Sequence, residues 1–268
     1  MEIIEQSEQW RRQYDAWKSR VHGSPDNVDQ YPFIQNSLAP FTPARRAITM
    51  MNLALIVSAG AYIDGTDPFD TTVPDGDLQL REIPSDIDLR DLRFSARGYD
   101  STFVQQDANV QVPLDRLHEF ESNRIIGQIA PVFWSFSGFI PDARSFAQQT
   151  IPYLLERLSR YDVQAALLIP ASRLCHQSVA LAARAIEQTG LPAMALAVDR
   201  DVIESVRPPR AGYYHGRLGS VAGEPNWPEH QRRVLDEALR WIEPMGQPGI
   251  RKLVVELETK VEIARGER

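Results

Sequence analysis

Cysteine is nearly absent from this chain: one residue, Cys175, among 268. A single thiol excludes an intramolecular disulfide and any metal site built on a cysteine pair, and it fits a reducing compartment. Long apolar runs are missing too. No stretch approaches the roughly 18 to 20 residues that a membrane-crossing helix needs. The first 20 residues, with Glu2, Glu5, Glu8 and Asp15, lack the basic start and apolar stretch of a secretory signal. The expected location is the cytoplasm, with no membrane partner. Basic charge is in deficit, 29 Lys and Arg against 36 Asp and Glu, for a formal charge of −7. Such a chain repels phosphate backbones unless its basic residues cluster, so nucleic acid is not an expected partner. A phosphate-binding loop, a dinucleotide-type glycine fingerprint after a strand and a nucleophile elbow are all missing. So is any repeat of the kind that builds solenoids.

What is present is ordinary globular composition. A hydrophobic share of 43% with 24% charged residues excludes intrinsic disorder and low complexity. The length suffices for one large domain or two small ones with a sizeable core. Near the N-terminus, Trp10, Tyr14 and Trp17 are spaced to share one helical face, for burial against the rest of the protein or for a partner. Breaks follow at Gly23-Ser24-Pro25-Asp26-Asn27 and at Pro40 and Pro43. Met51 to Ser58 is a buried-strand pattern closed by Ala59-Gly60. From Tyr62 to about Asp100 the chain is polar and rich in Pro, Gly and Asp, predicting an irregular segment with a short helix or strand between Leu78 and Leu92. Ile125 to Phe136 reads as a second strand running into a Ser-Phe-Ser-Gly loop. A helix then starts at Pro141 and runs to about Tyr161, with Pro152 interrupting it or marking a restart.

The pattern is clearest between Tyr161 and Val198. Val163 to Pro170 is a buried strand, and Val179, Ala182, Ala183 and Ile186 mark the inner face of a helix. Thr189-Gly190-Leu191-Pro192 stops that helix, and Ala193 to Val198 is another buried strand. A strand–helix–strand unit of this kind makes a parallel sheet. Val234 to Ile242 predicts one amphipathic helix, and Ile250, Leu253, Val254, Leu257 and Val261 another, to cover the sheet or pack in an oligomer. The expected fold is three-layer α/β: a mostly parallel sheet with flanking helices and a long irregular insertion after the first strand.

In open parallel sheets, ligands collect beyond the carboxyl ends of the strands. The turn leaving the best strand reads Pro170-Ala171-Ser172-Arg173-Leu174-Cys175-His176-Gln177-Ser178, and the helix begins within it. Cys175 thus falls at a helix N-terminus, where unpaired N–H groups favour an anion and are expected to lower the thiol pKa, as a nucleophilic cysteine requires. The alternative is a small buried cysteine filling space. His176 points about 100° around the helix from Cys175, which suits a substrate contact better than a base for the thiol. The carboxylates of Asp64, Asp67, Asp70, Asp75 and Asp77 suggest either a hard-cation loop or plain turn residues; their spacing does not match the EF-hand. Asp107 and Asn109 read as one side of a short strand, before a helix started by Pro113 with Asp115 in its first turn. Capping and a pocket contact both suit them. Arg207-Pro208-Pro209-Arg210 reads as a solvated basic turn rather than a phosphate clamp, Tyr213, Tyr214 and His215 as a strand end, and His22, His118 and His230 as surface residues.

Together these residues resemble a family, the selenoprotein B type subunits of glycine, sarcosine, betaine and D-proline reductases, and in particular its shorter members without selenium. The resemblance runs from about Met51 to Leu239. It rests on Ala59-Gly60, Pro68-Phe69-Asp70, Gly76-Asp77 with Arg81, Ile83 and Pro84, and Tyr99-Asp100. It continues through Asp107-Ala108-Asn109, Pro113 to Leu117, Ile126-Gly127, Cys175-His176-Gln177-Ser178-Val179, Ala183 to Glu187 and Arg207 to Ala211. What it implies is reductive cleavage of a carbon–heteroatom bond in a small molecule, by thiol or selenol attack with a disulfide-type product. Cys175 and His176 would be catalytic, and Ser172, Gln177, Ser178, Asp77, Arg81, Asp107 and Asn109 would bind substrate. Such relatives carry a second Cys three positions before the Cys-His-Gln stretch, where this chain has Ser172, and tend to carry a His where it has Ala96. A lone thiol cannot close its own disulfide. An external thiol, or the thiol of a partner redox subunit, is therefore the expected co-reactant, with no tightly bound cofactor and no metal. Residues 1–45 are expected to form a helical segment packed on the core, residues 46–268 a single reductase-like α/β domain, and the chain to form a homo-oligomer. Two other readings stand beside this one. The first is non-redox cysteine chemistry (elimination, isomerisation or hydrolysis), and the second is a catalytically silent binding or scaffold subunit.

Overall fold

The computed structural model describes residues 2–21, 28 and 30–255. The elements in chain order are α1 (Ser7–Arg20), β1 (Asn52–Val57), β2 (Ala61–Ile63), β3 (Arg81–Pro84), β4 (Leu92–Phe94), α2 (Thr102–Gln106), α3 (Leu114–Ser122), β5 (Gln128–Ile129) and β6 (Val132–Ser135). They continue with α4 (Ala143–Ser145), α5 (Ile151–Arg160), β7 (Ala165–Ile169), α6 (Arg173–Gln188), β8 (Ala193–Ala197), α7 (Arg200–Val206), β9 (Arg210–Tyr213), α8 (Pro228–Leu239) and β10 (Gly249–Lys252).

The central sheet runs β10-β9-β8-β7-β1-β6-β3, with β5 pairing β1 on the side of β6. Every pairing is parallel except that of β3 with β6. The residues of β7 and β8 are buried throughout, as a sheet covered on both faces requires, which is why they read as unbroken apolar runs. The two faces carry two cores. One contains Ile56, Trp134, Leu154, Leu158, Leu168 and the inner face of α6. The other contains Leu55, Phe133, Leu167, Leu117 and Phe120 of α3, and Val234, Leu235 and Ala238 of α8. This is the mostly parallel, helix-flanked α/β sheet that the periodicity predicts.

The chain leaves β1 over the α3 face to reach β5 and β6, then crosses the opposite face through α4 and α5 to β7. From β1 and β7 it therefore departs in opposite directions, and their carboxyl ends border the crevice where doubly wound sheets hold ligands. Between α4 and α5 the helix relaxes into a π-turn, Phe146–Thr150, next to Pro152, the residue with no N–H to donate.

Several local expectations are corrected. The segment after β1 is less irregular than its composition suggests: β2 and β4 form an antiparallel ribbon, and β3 extends the central sheet. Asp107 and Asn109 do not share a strand face. Asp107 caps the 3-10 turn Ala108–Val110 by accepting from Asn109 N, because a short carboxylate bonds the backbone two residues on more readily than it lines a strand. Ile250 lies in β10, not in a helix, and the parallel ladder with β9 overrides a spacing that mimics helical periodicity. Leu257 and Val261 lie outside the described residues, as do His22 and the Gly23–Asn27 break. Arg210 is not solvated: it starts β9, fully buried, and pairs with buried Glu187. His230 is buried under Trp227, with ring centroids 5.1 Å apart.

Trp10, Tyr14 and Trp17 are buried together with Tyr31 in the first core. The N-terminal segment also covers the outer face of α6, so Leu174 through Glu187 are all buried. Polar side chains make that contact. Gln177 accepts from Ile34 N (2.8 Å) and donates to Tyr31 Oη (2.8 Å). Arg184 donates to the carbonyls of Glu2, Ile3, Leu38 and Arg207 at 2.6–3.2 Å. Glu187 accepts from Thr42 N and from Ala193 N.

Candidate active site

The site forms at the carboxyl ends of β1, β6 and β7. Ser172 caps α6 by accepting from Cys175 N (3.1 Å), which leaves the Cys175 side chain in the first turn of the helix. Its sulfur lies 3.1 Å from Gly138 O in the loop after β6, 3.4 Å from Ser58 O at the end of β1, and 3.0 Å from Ser172 Oγ. Ser172 Oγ also donates to Gly138 O (2.7 Å). Ser58 Oγ accepts from Ala171 N (3.1 Å), tying the ends of β1 and β7 together. The thiol is 1% exposed. Its apolar surroundings are Ala59 and Ala171, with Phe94 and Tyr99 packed over them.

Tyr99 donates to Ala59 O (2.6 Å), and burial pushes its phenol well above the ordinary value, with Cys175 adding to the effect. Its ring is wedged between two glycine backbones. A Cβ on Gly138 would come within 3.0 Å of it and one on Gly219 within 3.1 Å, so larger residues there would displace the ring. Gly219 N in turn donates to Ala171 O (2.8 Å), closing the loop over the site.

Ser172 and Cys175 thus meet, while the other candidates are placed elsewhere. His176 is fully buried. Its Nδ1–H donates to Ser172 O (2.8 Å), and Nε2 accepts from Val198 N (3.0 Å) and Asp199 N (3.2 Å). Two N–H groups aimed at Nε2 fix the neutral tautomer, and burial lowers the pKa to about 4. With both nitrogens engaged by backbone, His176 joins the start of α6 to the β8–α7 turn. Gln177 points into the N-terminal segment, and Ser178 is buried. Asp77 accepts from Asp70 N and Gln79 N (both 2.9 Å). Arg81 reaches Pro68 O (3.2 Å) and stacks over Phe69 (4.7 Å), while its buried Nε finds no partner. These two residues shape the 68–79 loop. Among the described residues no group of three or more His, Cys, Asp or Glu side chains could hold a metal ion.

Asp107 and Asn109 border an open cleft of about 1000 Å³ between the β2–β4 ribbon and the 104–109 segment. Asp107 is saturated there: Asn109 N and Nδ2, Asn226 N and Gln231 Nε2 all donate to it. Asn109 joins it to Asp115 (2.8 Å). Phe94 lines the same cleft and also packs on the cysteine cluster. Sequence reasoning missed Ser58, Phe94, Tyr99 and Gly138. Ser58 and Gly138 were findable, since each stands in the loop leaving a predicted strand, where sheet topology collects functional groups. Phe94 carries no such signal, and Tyr99 entered only through the family likeness, in the Tyr99-Asp100 pair.

Three comparisons bear on this arrangement. The profile of the family described as glycine/sarcosine/betaine reductase selenoprotein B matches residues 30–171. The D-proline reductase subunit gamma of Acetoanaerobium sticklandii is 31% identical over 202 residues, 75% of this chain and 82% of that one. The glycine reductase complex component B subunit gamma of Symbiobacterium thermophilum is 24% identical over 65% of this chain, and the sarcosine reductase complex component B subunit beta of Peptoclostridium acidaminophilum 26% over 69%. The matched part spans only 40% and 43% of those two longer proteins. No solved structure matches.

Proposed function

The chain belongs to the glycine/sarcosine/betaine reductase selenoprotein B family, and from that premise we propose that it is a thiol-dependent reductase subunit acting through Cys175 on a small amino-acid-type molecule. One observation carries the reading. The only thiol in the chain sits in the first turn of α6 at the topological switch point, where β1 and β7 part. Attack requires the thiolate, so in the reaction the thiol gives up its contacts with the carbonyls of Gly138 and Ser58.

In the proposed reaction the Cys175 thiolate attacks the carbon bearing the heteroatom. A C–S bond forms and the heteroatom leaves with the electron pair of its bond to carbon. A second thiolate then attacks the Cys175 sulfur. The carbon departs with the C–S pair and takes a proton, and a mixed disulfide remains for a dithiol to reduce. Ser172 supplies a hydroxyl and not a resolving thiol, so the second thiolate comes from an external thiol or a partner redox subunit. The relatives' names, as subunits of reductases and reductase complexes, support the partner. The cytoplasm supplies the reducing setting, and the chain is taken to work as a homo-oligomer.

The test is Cys175→Ala. Turnover should vanish while the melting temperature shifts by no more than a few degrees; wild-type-like turnover would sink the reading. The burial of the sulfur, with carbonyl oxygens of Gly138 and Ser58 as neighbours, favours one alternative, a catalytically silent subunit with a packed cysteine. Slow alkylation of Cys175 that simply follows ordinary thiol ionisation from pH 6 to 9 would support that alternative. Fast alkylation persisting below pH 7 supports the nucleophile.

A further inference from the structure

The sulfur of Cys175 is sealed, yet a cleft of about 1000 Å³ lies beside its cluster. Two side chains pack on the cysteine cluster while remaining partly exposed, Phe94 and Tyr99. They are held very differently. Tyr99 is latched to Ala59 O and clamped between the Gly138 and Gly219 backbones. Phe94 ends β4, a three-residue strand paired only with β2, and its ring has no hydrogen bond to break. One face of the Phe94 side chain lines the cleft, and the side chain also touches the Ala59–Ala171–Cys175 cluster.

We propose that this cleft is the substrate's entrance and that Phe94 is the gate between it and Cys175. The inference rests on the reading of Cys175 as the nucleophile. Swinging an aromatic ring about χ1 needs no backbone rearrangement, and it joins the cleft to the first turn of α6. The walls suit a small polar molecule. Gln105 and Gln106 offer amides, and the carboxylates of Asp107 and Asp115 are already engaged by Asn109 and its neighbours. Tyr99, latched to Ala59 O, is the fixed ring on the same cluster.

Access can be read apart from turnover by alkylating Cys175, the single thiol, in the full chain. Phe94→Ala should raise the rate with N-ethylmaleimide by about tenfold, and with the smaller iodoacetamide by less, through local opening. Phe94→Trp should slow both reagents, and Tyr99→Phe should stay within about twofold of wild type. The Phe94→Ala rate should also be flat across sub-denaturing urea, since local opening exposes little surface. Rates unchanged in Phe94→Ala, a larger rise in Tyr99→Phe, or a rate that climbs steeply with urea would overturn the gate. Should the gate hold while Cys175→Ala keeps full turnover, the reductase reading fails and the access route stands. Should Cys175→Ala be dead and Phe94→Ala unchanged, the reading stands and the gate fails.

Discussion

At the scale of single residues, the two neighbours Cys175 and His176 divide the labour of the first turn of α6. The cysteine sulfur lies against the carbonyls of Gly138 and Ser58, and the histidine ring is held by Val198 N and Asp199 N. His176 has a folded-state pKa of about 4 against an ordinary 6.5, because its burial opposes the charged form. The unfolded chain therefore binds the proton more tightly. Stability from this group is intact above pH 6.5 and declines as pH falls toward 4, by up to about 3 kcal/mol. Urea titrations at pH 7, 5.5 and 4 should show that loss. His176→Ala should lower stability at pH 7 and flatten this part of the pH dependence, since Val198 N and Asp199 N lose their acceptor. An unchanged pH profile in the variant would assign the acid sensitivity to other groups.

Helix α6 is the element on which the site depends. Its inner face was readable from Val179, Ala182, Ala183 and Ile186, but its outer face is as buried as the inner one. The reason is that Gln177, Arg184 and Glu187 receive the N-terminal segment through backbone groups, which leave no mark in apolar periodicity. The Glu187–Arg210 pair fastens this arrangement, with both side chains 0% exposed, Arg210 Nη2 donating to Thr42 O and Arg210 lying over Phe41. Arg210→Met leaves a buried carboxylate without its cation and should cost about 3 to 5 kcal/mol in urea unfolding. The double variant Glu187→Leu with Arg210→Met should recover much of that loss, because no unpaired charge remains. Equal destabilisation in the single and double variants would show that packing around the pair matters more than its charges.

Across the whole molecule, the parallel sheet brings together residues far apart in the chain. Ser58, Gly138 and Cys175 meet because β1, β6 and β7 are neighbours and all end on the same side. The cleft borders the β2–β4 ribbon and reaches the cysteine cluster through Phe94. A single thiol in such a site makes a stoichiometric prediction. Incubated with a reactive substrate and no added thiol, the chain should stop at one covalent adduct on Cys175, visible by mass spectrometry. Adding a dithiol or a partner redox subunit should discharge the adduct and permit turnover. Sustained turnover without any reductant would favour elimination, isomerisation or hydrolysis over reduction.

The amino-acid sequence by itself determined the α/β sheet, the strand–helix–strand unit around α6 and the position of Cys175 at a helix N-terminus. Each of these is written in local periodicity and capping chemistry, which few neighbours can alter. The family likeness, too, was legible in the residues. Tertiary structure alone decided where the polar candidates point. His176, Gln177 and Asp107 are the residue types of an active site, yet each is engaged by a distant part of the chain, by Val198 N, Ile34 N and Asn226 N respectively, because a buried polar group must be satisfied wherever the fold supplies a partner. It also decided that β10 is a strand and that Arg210 is interior, since ladder pairing and burial come from segments far away in sequence. Phe94 and Tyr99 pack on the cysteine cluster for the same reason: ribbon pairing brings Phe94 beside Ala61, and Tyr99 is held by Ala59 O.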